Sequence, residues 1–139
     1  MPPPSDVNLF HAGLARFNAG EYFAAHEIWE ELWHATTGPH KRFVQGLIQC
    51  AVALEHVRRG NPRGVRSVWQ SAQTKFAGLP EVCAGLHIPH LLTAMARFLQ
   101  PILALPPAAF APGQGHGLPL PVDLAHAPRL TLEPDAGCH

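Results

Sequence analysis

The sequence predicts an all-α protein: two helical hairpins of like design, a fifth helix that caps them into a compact bundle, and an irregular proline-rich C-terminal tail. Three observations carry this reading. Apolar residues recur three and four apart over most of the first hundred residues, and no stretch alternates as a strand would. Glycine and proline punctuate those segments at Gly20, Gly38-Pro39, Gly60-Asn61-Pro62 and Gly78-Leu79-Pro80. The first four segments also repeat.

The first helix is expected to start at Asp6 as N-cap, with Val7, Phe10, Leu14 and Phe17 as its stripe and Gly20 as its C-terminal cap. A second helix follows from Glu21 or Tyr22 to about Ala35. Thr37-Gly38-Pro39 closes it and opens a third, with Pro39 tolerated in the first turn. The third helix, to about Arg59, is the most apolar, carrying Phe43, Val44, Leu47, Ile48, Cys50, Ala51, Leu54 and Val57. A fourth carries Val65, Val68, Trp69, Ala72 and Phe76. A fifth begins near Pro89 with Leu91, Leu92, Met95, Phe98 and Leu99.

A shift of forty residues lays Val7 on Leu47, Phe10 on Cys50, Leu14 on Leu54, Phe17 on Val57, Gly20 on Gly60, Ala25 on Val65, Ile28 on Val68 and Trp29 on Trp69. Helical periodicity alone brings apolar residues into register. The matched glycines and tryptophans point to two copies of one tetratricopeptide-like hairpin. Two copies would leave end faces wet, so the fifth helix is expected to close the stack. The boundary is placed at residue 104, with 105–139 a flexible tail: eight of the fifteen prolines fall from Pro101 onward. Such a tail is expected to be dispensable to the fold.

With ten basic and ten acidic residues the formal charge is zero, which argues against nucleic-acid or anionic-membrane partners. Four arginines cluster at Arg58, Arg59, Arg63 and Arg66. They lack interleaved aromatics and read as a solvated face or as partners for the acids of the second helix. No apolar run approaches the roughly 18 residues that span a bilayer. Cys50, Cys83 and Cys138 are odd in number and unrelated in spacing, as for reduced thiols. The first residues, Met1 to Asp6, have no signal-peptide pattern, and a cytoplasmic protein is expected. Cys138-His139 has little specificity as a metal site.

The densest polar cluster is Tyr22 to His34. At about 100° per residue, Tyr22, Ala25, Trp29, Leu32 and Trp33 share the inward face, with His26 and Glu30 along its margin. A histidine and a carboxylate four apart can hydrogen-bond or share a metal ion. Glu27, Glu31 and His34 point further outward. His26-Glu27-x-x-Glu30 lacks the second histidine of a zinc protease, and Glu31-x-x-His34 lacks the second copy that a di-iron site requires. On the third helix Gln45, Gln49 and His56 lie within roughly 40° of one another. They either face His26 and Glu30 across the hairpin or form a solvated stripe with Lys41, Arg42 and Arg59. The candidate pocket is therefore His26, Glu27, Glu30, Trp33, Gln45, Gln49 and His56. His26, Glu30 and His56 are its candidate ligands for a divalent metal. Trp29, Trp33 and Trp69 otherwise read as core.

Phe17-Asn18-Ala19-Gly20-Glu21-Tyr22-Phe23-x-Ala25-His26-Glu27-x-x-Glu30-x-x-Trp33 resembles the signature of the domain of unknown function 309 family. Gln45-Gly46-Leu47-Ile48-Gln49, Ala53-Leu54-x-His56 and Arg59-Gly60-Asn61 resemble its second signature. The resemblance spans roughly Val7 to Phe98. It implies a small helical bundle, marks His26, Glu27, Glu30, Trp33, Gln45 and His56 as motif positions, and implies no reaction. Two positions depart: Ala24 replaces a frequent acid, and Gly85-Leu86-His87 stands where the family tends to have Gly-Leu-Asp. Two functions follow. The first is a binding module for a protein or peptide partner, or a homo-oligomer. The second is a metal-assisted or acid–base hydrolase using His26, Glu27, Glu30 and His56.

Overall fold

The computed structural model describes residues 6–112 and 117–133, with the side chains of Asp6 and Val7 outside that description, as are Gly113, Gly115, Cys138 and His139. Five α-helices form among the described residues: α1 Asp6–Asn18, α2 Tyr22–Ala35, α3 Pro39–Arg58, α4 Pro62–Phe76 and α5 Ile88–Leu103. Their ends follow local chemistry. Pro39 and Pro62 occupy the first turns of α3 and α4, where a missing N–H leaves no helical acceptor unpaired. Asn61 Oδ1 caps α4 by accepting from the Gly64 N–H at 3.1 Å.

The repeat is visible in the hydrogen bonds of the two hairpin turns. Gly20 N–H donates to Phe17 and Glu21 N–H to Arg16; forty residues on, Gly60 N–H donates to Val57 and Asn61 N–H to His56, all at 2.9–3.0 Å. This is the paired closure of a Schellman turn, and it needs a left-handed residue at its corner. Gly20 has φ +79° and Gly60 φ +63°. Helices α1 and α2, α2 and α3, and α3 and α4 then pack as successive neighbours, with α5 against α4. Phe17, Trp29, Leu47, Leu54, Val65, Met95 and Leu99 fill the core, and Trp29 and Trp69 are both buried.

Two features add to these expectations. A two-residue hairpin, β1 Val82–Cys83 and β2 Leu86–His87, precedes α5. Ladders this short carry no alternation that a periodicity reading can detect. The described part of the tail also lies against the bundle rather than away from it. Phe110 is buried, with the Arg66 guanidinium 4.1 Å over its ring, and Leu130 is buried. Gly117 N–H donates to the Arg59 carbonyl at 2.7 Å and Leu118 N–H to Gly60 at 3.3 Å, so the segment runs over the second hairpin turn. Asn18 holds Leu130 from both sides, donating to its carbonyl at 2.8 Å and accepting its N–H at 2.7 Å. Leu132 pairs with Leu86. Prolines lower the entropy that such a segment loses on ordering, so a few buried apolar side chains and satisfied backbone groups suffice to hold it.

No described helix is long and apolar enough to cross a membrane.

Candidate functional site

The antiparallel packing of α2 on α3 puts the start of α2 beside the end of α3. There the two helices part to leave a cleft of about 170 Å³, lined by Tyr22, Phe23 and His26 from α2 and by Val52, Glu55, His56 and Arg59. The α3 residues follow from helical geometry. With Arg59 taken as 0°, Val52 falls at about 20°, Glu55 at about −40° and His56 at about 60°.

His26 is held by its own helix: Nε2 lies 2.9 Å from Glu30 Oε2, the expected i, i+4 pair. Its ring leans against Phe23, with centroids 5.6 Å apart. Phe23 is 49% exposed, a large apolar side chain left in water at the mouth of the cleft. Tyr22 is buried behind it, and its phenol is pushed up from the ordinary value by burial, against the opposing effect of the Arg58 cation. Glu55 accepts from Arg58 at 2.8 Å and from Arg59 at 3.2 Å. Arg58 and Arg59 therefore pair locally with Glu55 and lie on a solvated face, the first of the two alternatives for this cluster, rather than reaching the acids of α2. Arg58 also donates to the Gly20 carbonyl, tying α3 to the first hairpin turn.

The candidate residues are thus partly brought together. His26 and His56 line one cleft. Glu30 reaches it only through His26, and Glu27 is exposed outside it. Gln49 is turned away: its Nε2 donates to Ser71 Oγ of α4 at 2.9 Å. At about 80° on the same wheel it belongs to the α4-facing side, with Gly46 at about 140°. Gln45 is half-buried, outside the lining. Trp33 lies further along α2, with Lys41 Nζ 3.9 Å above its ring and its indole N–H buried without an acceptor among the described residues. His56 Nδ1 is 3.2 Å from Asn61 Nδ2. His26, Glu30 and His56 do not converge as a three-ligand metal set. The group of three that does so among the described residues is His87, His90 and Glu133.

Sequence reading missed Tyr22, Phe23, Val52, Glu55 and Arg59 as lining residues. Phe23 alone left a signal, as a large apolar residue one step off the inward stripe of α2.

Comparison with known proteins covers the stretch from α1 to the first half of α4. Residues 10–68 match the model of the family described as domain of unknown function 309. An uncharacterised protein of Aquifex aeolicus is 33% identical over 84 residues, 60% of this chain and 25% of the relative. The uncharacterised protein YpuF of Bacillus subtilis is 46% identical over 55 residues, 38% of this chain and 32% of the relative. The chain thus spans about a quarter to a third of the length of the curated relatives it matches.

Proposed function

Since residues 10–68 match the model of the domain of unknown function 309 family, we propose that the chain is a binding module which seats a side chain of a protein partner in the α2–α3 cleft. The half-exposed Phe23 ring at the cleft mouth carries the reading. A lone exposed apolar side chain is ordinary on a protein surface, but Phe23 adjoins an apolar-floored cleft, and an aromatic beside such a pocket suits a protein contact. The cleft's size points the same way. Sites for drug-sized ligands run to about 300–1,000 Å³, and about 170 Å³ is smaller. Tyr22 and Val52 supply an apolar floor and His26, Glu55, His56 and Arg59 a polar margin, the layout of a small hot-spot pocket.

The partner class is a peptide segment or a second copy of this chain presenting an apolar side chain. The test places a photo-crosslinking phenylalanine analogue at position 23, with a control at exposed Gln70 of α4. The expected result is a discrete crosslinked species from position 23, to another protein or to a second copy, which Gln70 does not give. Equal background from both positions would count against the cleft.

The hydrolase reading rests on the His26–Glu30 pair, since a carboxylate that orients an imidazole is a general-base arrangement. Glu30→Gln separates the two. Loss of a chemical activity with crosslinking from position 23 unchanged would favour the enzyme, and weakened crosslinking alone the module.

A further inference from the structure

On a different face, the start of α5 and the returning C-terminal segment bring two histidines and a glutamate together. His87 caps α5, its Nδ1 accepting from the His90 N–H at 3.2 Å. Three residues apart, the rings share one face and stack, with centroids 3.8 Å apart and planes at 29°. Glu133 comes from the far end of the sequence. Its N–H donates to the Gly85 carbonyl at 2.6 Å, and Leu132 pairs with Leu86, so the backbone delivers it beside His87. One ligand atom from each of the three lies within 4.8 Å of the others. They line a cleft of about 180 Å³ backed by Leu86, Leu91 and Leu130.

We propose that His87, His90 and Glu133 bind a divalent transition metal of the zinc class, which fastens the C-terminal segment to α5. Two imidazole nitrogens and one carboxylate are a zinc ligand set, and three protein ligands leave a fourth position for water. Magnesium and calcium prefer oxygen ligands and are poorly matched. With zinc–nitrogen bonds of about 2.0–2.1 Å, tetrahedral ligand atoms stand about 3.3 Å apart. The three groups must therefore draw in by about 1.5 Å, within the reach of side-chain rotation in an open cleft. Coordination through His87 Nε2 puts the ring proton on Nδ1, so metal entry releases the capping bond from His90, already long at 3.2 Å. The exposed Arg129 lines the same cleft and swings into solvent as the cation enters.

The test is calorimetric titration of Zn²⁺ into the full chain, with thiols kept reduced in a non-chelating buffer. One equivalent binds, and His90→Ala and Glu133→Gln each weaken it by more than about tenfold, since even an outer partner of a ligand is worth 10–100-fold. Zinc also slows limited proteolysis between residues 118 and 133 in the parent chain and not in Glu133→Gln. No binding, or binding that both substitutions leave unchanged, overturns the site. Equal proteolysis with and without zinc overturns the fastening.

Discussion

Gly13 of α1 and Trp29 of α2 meet so closely that a Cβ on Gly13 would lie 2.2 Å from the indole Nε1. The space left by the missing side chain admits the ring, and the indole N–H reaches the Phe10 carbonyl at 3.1 Å. Trp29 is thereby fully buried with its one polar atom satisfied, which a tryptophan in a core requires.

Gly13→Ala tests that fit. Helix propensity alone would stabilise by about 1 kcal/mol. Overpacking costs about 1–3 kcal/mol and displaces the Trp29 hydrogen bond as well. The expected outcome is a lower urea midpoint, and a raised midpoint would mean that α1 and α2 are less tightly apposed.

Gly20 and Gly60 occupy equivalent corners, yet alanine should not act equally at them. Both need a left-handed backbone, costing about 1–2 kcal/mol with a side chain. At Gly20 the nearest atom to a new Cβ is Arg58 Nη2 at 3.9 Å, whereas at Gly60 it meets Leu118 O at 2.5 Å and Leu118 N at 2.6 Å. Gly60→Ala should lower the melting temperature distinctly more than Gly20→Ala. Equal effects would show that the C-terminal segment does not lie on the second turn.

The clamp between Asn18 and Leu130 gives a second test of that segment. Asn18→Ala leaves two backbone groups of Leu130 unpaired, at about 1–3 kcal/mol for each one that stays buried. A chain ending at Leu105 loses this clamp and the buried Phe110 and Leu130 side chains. Both variants should melt below the parent, the truncated chain lower. Coincident melts would restore the simpler expectation of a dispensable tail.

Cys50 reports the core. Burial alone pushes its thiol from 9.0 up to about 12. Since the folded value lies above the unfolded one, the buried thiol contributes its full share of stability below pH 9, and that share is lost as pH rises from 9 toward 12. Tyr22, shifted the same way from 10.0, adds to the alkaline fall. Cys50→Ala should flatten stability against pH above 9, and an aromatic disulfide reagent should label Cys50 only on unfolding. Rapid native labelling would contradict its burial.

Most of the bundle was legible because helical period, proline position and glycine corners are local signals, and the forty-residue repeat places the same corner twice. What escaped was non-local. A helical wheel shows that Gln49 and His56 share a side of α3, but not that the boundary between the α2-facing and α4-facing sides runs between them. The two-residue β-hairpin has no period to read. Asn18 and Leu130 stand 112 positions apart, and neither residue type announces the other. His26 and Glu30 were readable as a pair because four residues make one helical turn. The cleft they border also needs Val52 and Arg59, which only the packing of α2 on α3 brings there.

The proposed role of the cleft turns on whether Phe23 serves the fold or a partner, and the unfolding free energy of Phe23→Ser answers it most directly. A partner-facing side chain that is 49% exposed should cost no more than about 0.5 kcal/mol, the range of ordinary surface substitutions. A loss of about 2 kcal/mol or more would place Phe23 in the core's own packing and contradict the binding role of the cleft.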